Sequence, residues 1–130
     1  MAVHTYGPRF SDHEAKLTEY EIEALKKKGV IHKLYHSPGE RCQIFFLRKK
    51  KDGTQRAILN TKFLTKNVKK NHFETETVKN TVALMKHGNY FASVDSKAAY
   101  YFVKIGTEFK KFFRFIFQGC VHEFLVLTQG

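Results

Sequence analysis

The stretch CQIFFLRKKKDGTQRAILN, residues 42–60, places the tightest constraint on the fold. Two apolar runs, residues 44–47 and 57–59, flank a polar turn that contains Asp52-Gly53. Asp-Gly is a favoured pair in hairpin turns because both residues tolerate a positive φ angle. The pattern therefore predicts a β-hairpin whose tip is crowded with lysine and arginine. Such a tip is expected to stay in solvent unless an anionic group binds it.

The positive charge of the chain is concentrated in one third of its length. The 130 residues include 23 Lys or Arg and 12 Asp or Glu, which gives a formal net charge of +11. Residues 26–70 hold fourteen basic and two acidic side chains, whereas residues 1–25 hold two basic and five acidic ones. Clustered basic side chains favour a polyanionic partner through counterion release. A solvated, lysine-rich surface is the plain alternative.

Composition indicates one globular domain without a membrane segment. The chain is 42% hydrophobic and 27% charged, no apolar run approaches a membrane span, and the first residues lack a secretory signal. Two cysteines, Cys42 and Cys120, form no disulfide framework and are expected to be small core residues in an intracellular protein of the cytoplasm or nucleus. His32 and His36 have helical spacing, but nearby Gly and Pro residues make a helical metal site there unfavourable.

The remaining pattern predicts an α+β chain. Thr18 and Glu21 have the spacing of a capping box and Gly29 can end a helix, so a helix is expected over residues 18–28 after a loose segment, 1–17. The basic stretch after the first hairpin is expected to form a short helical turn and loop. Further expected elements are a helix over 77–86, a strand over 90–94, a helical turn over 98–101, and a second hairpin made by 110–117 and 121–127.

Several stretches occur in an order that one protein family shares. They are RKKKDGTQRAILNTKFL, HFETETV, GNYFASVDSKAAYYFVKI and EFKKFFRFIFQG. Together they resemble the fingers and first palm segment of reverse transcriptases, the RNA-directed DNA polymerases of retroelements, and most of all the DIRS-like and Gypsy-like group. The resemblance runs from about residue 21 to 130. It implies fingers over about 18–88 and a partial palm over about 89–130, with an incomplete antiparallel sheet flanked by helices.

The resemblance also implies roles for individual residues. Asp95 matches the first catalytic carboxylate, at the end of a palm strand, and the Ser96 backbone carbonyl is its usual partner in binding Mg²⁺ or Mn²⁺. Phosphoryl transfer with two metal ions needs such hard oxygen ligands. The implied partners are a template–primer of RNA or DNA and a deoxynucleotide. Nucleotide-binding roles are implied for Lys50, Arg56, Tyr100 and Gln129, and contacts along the nucleic acid are expected from Lys49, Lys51, Lys62 and Lys66.

Each of these residues has an ordinary structural interpretation as well. Asp95 taken alone is typical of a strand end or a helix N-cap. Tyr100 taken alone is typical of a core side chain. Lys50 and Arg56 beside a turn are typical of solvated surface charge. These alternatives stay open at the level of the sequence.

One catalytic aspartate is not enough for the chemistry of the family. No Asp-Asp pair occurs in the chain, and Ala98 stands where the family usually has a second aspartate. Binding of Mg²⁺ is therefore expected to be weak or absent, and the chain is expected to be a truncated polymerase part that is inactive alone. Two alternatives stay open: a non-catalytic, sequence-independent nucleic-acid-binding module, or a remnant that folds poorly because its palm strands lack sheet partners. Oligomeric state is not indicated.

Overall fold

The structure, a computed structural model, describes residues 9–35 and 42–129. Helices and strands are mixed along the chain and the sheets are small and antiparallel, which confirms the predicted α+β class. In the described residues, no helix is long and apolar enough to cross a membrane. The elements are α1 (Asp12–Lys27), β1 (Ile31–Leu34), β2 (Ile44–Lys49), β3 (Gln55–Asn60), α2 (Lys62–Asn67), α3 (Val78–Leu84), 3-10 helices at Ala99–Phe102 and Lys110–Phe112, β4 (Arg114–Phe117) and β5 (Cys120–Phe124).

Both predicted hairpins are present. Strands β2 and β3 pair antiparallel with Phe45 opposite Leu59. Strands β4 and β5 pair antiparallel through a turn at Gln118 and Gly119, where φ is +48° and +74°. Two consecutive positive φ angles match the twist of the flanking strands, which explains the tight turn. Strand β1 adds to the other side of β5, so the second sheet has the order β1-β5-β4.

Helix α1 begins earlier than the sequence pattern predicted. Ser11 is its N-cap and forms a capping box with Glu14: the Glu14 amide donates to Ser11 Oγ at 3.3 Å, and the Ser11 amide donates to Glu14 Oε2 at 2.9 Å. Thr18, predicted to be the cap, lies inside the helix, where its buried hydroxyl donates to the Glu14 carbonyl at 2.8 Å. Residues 12–17, expected to be loose, are therefore helical. The predicted end of the helix near Gly29 is confirmed.

Aromatic side chains from both sheets build the core. Phe115 is fully buried, stacks on Phe45 with ring centroids 4.3 Å apart, and contacts Phe124 at 5.7 Å. Ile22 and Leu25 of α1 close this core from one side. The core thus joins α1, the first hairpin and the second sheet into one unit.

A buried carboxylate holds the three-stranded sheet together. Glu123 on β5 accepts a hydrogen bond from Arg114 Nε on β4 at 2.6 Å and lies 3.0 Å from His32 Nε2 on β1. Burial alone raises the pKa of Glu123, but the hydrogen bonds from Arg114 and His32, with their charges, outweigh it and lower the pKa. Each partner lies opposite Glu123 in the strand register, so the network spans all three strands.

The long middle segment contributes nothing to the core. Every residue from 65 to 100 is exposed, including apolar side chains of α3 such as Val78 and Val82. The strand predicted at 90–94 is wrong: these residues form no strand, and Tyr90 and Val94 are almost completely exposed. A strand needs a hydrogen-bonded neighbour, and none of the five described strands lies beside this run. The apolar pattern of residues 90–94 therefore did not lead to a strand, because it has no neighbouring strand to pair with among the described residues.

Smaller differences follow from tertiary pairing. Strand β1 was not predicted; it is a short run with charged residues that is stabilised by pairing with β5. Of the strand predicted at 110–117, only β4 is extended, because residues 110–112 form a 3-10 turn. Cys42 and Cys120 are only half-buried, so neither is a core residue. The His32–His36 pair cannot be assessed, since His36 lies outside the described residues.

A buried histidine on β5 makes the fold sensitive to acid. Burial, and next the charge of Lys26, lower the pKa of His122 from 6.5 to about 4. The ring stacks on Phe115 with centroids 5.1 Å apart, and its buried Nδ1 atom has no hydrogen-bond partner among the described residues. The folded protein thus holds this imidazole neutral where an unfolded chain would protonate it.

Stability is expected to fall as pH drops from about 6.5 to 4, because in that window the unfolded chain binds a proton that the folded chain rejects. The loss is on the order of 3 kcal/mol of unfolding free energy. Urea unfolding at stepped pH measures it. His122→Phe should flatten the dependence, whereas exposed His13→Phe should not; equal pH slopes for all three proteins would contradict the assignment.

Candidate nucleic-acid interface

The tip of the first hairpin is a compact, internally bonded turn. The Lys50 amide donates to the Thr54 carbonyl at 2.8 Å, and the Gly53 amide donates to the Lys50 carbonyl at 3.1 Å. Gly53 has a φ of +82°, which a residue with a side chain would adopt at a cost. Hydrogen bonding therefore holds the tip in one shape although its side chains are exposed.

Asp52 stabilises the turn because its carboxylate accepts hydrogen bonds from Thr54. Its Oδ1 accepts hydrogen bonds from the Thr54 hydroxyl at 2.6 Å and the Thr54 amide at 3.0 Å. These bonds, and more weakly the charge of Lys50, lower the pKa of Asp52. The only acidic side chain of the tip is thus engaged with Thr54, and it makes no ion pair with a tip lysine within the described residues.

Five cations surround one concavity of about 430 Å³ at this tip. Arg48 and Arg56 lie directly opposite each other in the strand register, and both are exposed. Like charges facing each other across a hairpin destabilise it, so folding alone does not account for this arrangement. In the part of the chain that the structure describes, none of the five pairs with a carboxylate. The cations are Arg48, Lys49, Lys50, Lys51 and Arg56.

The chemistry of this concavity suits phosphate oxygens. Lysine offers a mobile point charge, and arginine offers a planar fork of donors that matches phosphate geometry. The sequence-predicted residues Lys49, Lys50, Lys51 and Arg56 are therefore brought together in space. The sequence also placed Arg48 at this tip, although no nucleic-acid contact was predicted for that residue.

Helix α2 presents two more of the expected cations. Lys62 and Lys66 are one helical turn apart on the helix surface, and both are exposed. The helix begins two residues after β3 ends, and it is anchored at Thr61, whose carbonyl accepts from the Thr65 amide at 2.8 Å. This placement is compatible with backbone contacts, and the role of both lysines stays a prediction.

The predicted catalytic residues lie in an exposed segment. Asp95 and Ser96 belong to an irregular stretch between the turn at Gly88 and the 3-10 helix at 99–102. Asp95 is therefore not at the end of a strand, in contrast to what the resemblance implied. Tyr100 lies on that 3-10 helix and is about half exposed, so it is not a core side chain. The roles assigned to these residues stay predictions.

The donor set around Asp95 does not fit a pair of magnesium ions. Among the described residues, no group of three or more His, Cys, Asp or Glu side chains converges where a metal could bind. One carboxylate and the Ser96 carbonyl cannot supply the oxygen ligands that bridge two ions. No reaction step can be assigned to metal ions bound by these residues.

Gln129 lies beside strand β3 of the first hairpin. Among the described residues, the structure shows no contact between Gln129 and Asp95. Its backbone carbonyl accepts from the Leu59 amide of β3 at 3.0 Å. Within the part of the chain that the structure describes, its buried side-chain Oε1 has no hydrogen-bond partner. The backbone of Gln129 therefore lies against strand β3 of the first hairpin. The nucleotide-binding role of Gln129 stays a prediction.

Comparisons with known proteins show which sequences the chain resembles. No family model matches the chain. The Tf2-3 and Tf2-4 transposon polyproteins of Schizosaccharomyces pombe (strain 972 / ATCC 24843) are each 30% identical over 115 residues, 85% of this chain. The chain spans 8% of the length of these curated relatives.

Solved structures match more of the chain at lower identity. The foamy viral protease-reverse transcriptase in complex with dsDNA matches 100% of this chain and 27% of its own, with a TM-score of 0.77 and 18% identity. The prototype foamy virus protease-reverse transcriptase CSH mutant matches 97% of this chain and 17% of its own, with a TM-score of 0.74 and 17% identity. The chain is thus similar in sequence to retrotransposon polyproteins and has a reverse-transcriptase-like fold.

Proposed function

We propose that this chain binds nucleic acid through the phosphate backbone, as the fingers-like part of a retroelement polymerase, and does not join nucleotides by itself. The observation that carries the proposal is the hairpin concavity, where five cations face outward without carboxylate partners in the described residues. The similarity to transposon polyproteins supports a retroelement origin. A DIRS-like or Gypsy-like subgroup and an intracellular site of action are further parts of the proposal.

Binding of this kind is independent of base sequence. Lysine and arginine contacts to phosphates position a protein on nucleic acid but carry no sequence information. The foamy viral protein is seen with dsDNA, and a duplex or a hybrid offers the same row of phosphates to the hairpin tip. The preferred partner is therefore a template–primer duplex. In the alternative function, a polymerase, a deoxynucleotide would bind at Lys50, Arg56, Tyr100 and Gln129.

The second candidate function is template-directed nucleotidyl transfer by this chain. It is favoured by the resemblance around Asp95. It is disfavoured because, among the described residues, no group of three or more His, Cys, Asp or Glu side chains converges to hold two Mg²⁺ or Mn²⁺ ions. We infer that metal binding at Asp95 and the Ser96 carbonyl is weak or absent in this chain.

Titration of a labelled RNA–DNA hybrid followed by fluorescence anisotropy tests the proposal. We expect saturable binding at about 50 mM salt that weakens steeply by about 200 mM, with a log–log slope near −0.9 for each phosphate contacted. Hybrids of different sequence should bind alike. Absence of binding at low salt would remove the proposed function.

A primer-extension assay with the same hybrid, deoxynucleotides and Mg²⁺ or Mn²⁺ separates the two candidates. No product is expected from this chain. Incorporation that Asp95→Asn abolishes would establish the polymerase alternative in its place, since that substitution removes the charge and leaves the size of the side chain unchanged.

A further inference from the structure

A wide apolar groove lies between helix α2 and the segment that precedes β4. Its volume is about 880 Å³, within the range of known binding sites. Neither the hairpin concavity nor Asp95 contributes to its lining. The lining is mostly apolar and includes Phe63, Leu64, Val68, Ile105, Phe109 and Phe112.

Backbone hydrogen bonds hold one wall of the groove in shape. The Ile105 amide donates to the Leu125 carbonyl at 3.0 Å, which fixes this wall to the end of the second sheet. The Phe109 amide donates to the Gly106 carbonyl at 2.9 Å, and the Phe109 ring lies against Gly106 so closely that a Cβ there would meet it at 3.3 Å. The wall is therefore formed before any partner binds.

The groove is open along its length rather than enclosed. Phe63, Val68 and Phe109 are each more than half exposed, although they line it. A small molecule in such a groove would keep much of its surface in water, whereas a typical small-molecule site buries most of its ligand. Open grooves with aromatic walls are typical of sites that take side chains of a polypeptide.

The charge around the groove selects the kind of polypeptide. Lys104 and Lys111 belong to the lining, and both are exposed. This rim favours carboxylates on the partner. It also disfavours a second copy of this chain, whose net charge is +11.

We propose that the groove is a docking site for an acidic, amphipathic polypeptide segment that inserts apolar side chains between Phe63 and Phe109 and places carboxylates against Lys104 and Lys111. The segment that follows α2 carries further exposed apolar side chains. Residues 65–100 are all exposed and include Leu84, Phe91 and other apolar side chains. Exposed apolar surface of this extent marks interaction sites on proteins. The proposal does not depend on nucleic-acid binding by the hairpin.

A labelled helical peptide of about 14 residues, four turns, is the probe, with leucines along one face and glutamates flanking them. Fluorescence anisotropy should show saturable binding at least about tenfold tighter than that of the same peptide with lysines in place of the glutamates. Phe109→Asp should lower the affinity for the acidic peptide by about tenfold or more, because an aromatic side chain that contacts the peptide is lost. Phe102→Asp, at an exposed phenylalanine outside the lining, is the matched control and should change little.

The double variant Lys104→Glu/Lys111→Glu tests the charge without altering the apolar walls. The double variant should bind the lysine peptide more tightly than the glutamate peptide. In a separate control, Phe109→Asp should leave binding of the RNA–DNA hybrid unchanged. Equal affinity for both peptides, no saturable binding, or equal loss with Phe102→Asp would overturn the proposal. Displacement of the peptide by dodecanoate at a concentration lower than that of the peptide would also overturn the proposal, because the groove would then bind a small amphiphile. Self-association of the chain that Phe109→Asp abolishes would overturn it as well, because the occupant would then be a second copy.

Discussion

Reversing three charges at the hairpin tip, Lys49→Glu/Lys50→Glu/Lys51→Glu, should weaken binding to an RNA–DNA hybrid by about two to three orders of magnitude at low salt. The three lysines share the concavity with Arg48 and Arg56 and have no carboxylate partners in the described residues, so each is available to a phosphate. Each lost phosphate contact should also lower the slope of log affinity against log salt by about one. The slope of the triple variant is therefore expected to be smaller by about three.

The matched control carries the same change in net charge elsewhere. Lys16→Glu/Lys79→Glu/Lys86→Glu alters three exposed lysines outside the hairpin and should weaken binding far less, leaving the salt slope nearly unchanged. Equal losses from the two triple variants would mean that the total charge attracts the hybrid and that the hairpin is not the site. Thermal melts of both variants should match the unaltered protein, because the tip side chains are exposed.

Phe115→Ala should have the largest effect on stability, a loss of about 3–5 kcal/mol of unfolding free energy. The Phe115 ring is fully buried and stacks on Phe45 and on His122, so its removal leaves a cavity where both sheets meet. Domains of this kind are stable by about 5–15 kcal/mol, so the substitution should remove a large part of the unfolding free energy. Urea unfolding followed by circular dichroism measures the loss.

Phe102→Ala is the control for this prediction, since that ring is largely exposed, and its cost should stay within about 0.5 kcal/mol. Equal costs for the two variants would contradict the packing described for the core. The unaltered protein also provides a test: a cooperative transition agrees with one joined core, whereas a broad, non-cooperative melt would favour the poorly folding remnant.

Local chemistry predicted the hairpins and the end of α1 well. Gly53 supplies the positive φ angle in the turn of the first hairpin, Gln118 and Gly119 supply those of the second, and Gly29 does so after α1. The start of α1 was misplaced because Ser11-Glu14 and Thr18-Glu21 fit the same capping pattern. Only packing separates them: Thr18 faces the core, and Ser11 does not.

The candidate site was predicted in part. Lys49, Lys50, Lys51 and Arg56 came together because one turn carries them all, so no distant contact was needed. The environment of Asp95 was not predictable in this way. A strand at 90–94 depends on a neighbour to accept its backbone hydrogen bonds, and apolar side chains cannot indicate whether one is present.

The sequence by itself determined the basic hairpin tip and the turns that build both hairpins, since each depends on neighbouring residues. Only the tertiary structure decided which strands pair, which faces are buried, and where the apolar groove opens. Glu123 on β5 bonds to His32 on β1, and Phe63 and Phe112 line the same groove, although these residues are far apart in the chain. Such contacts depend on how the whole chain packs, and that information is spread over many residues rather than written in any one motif.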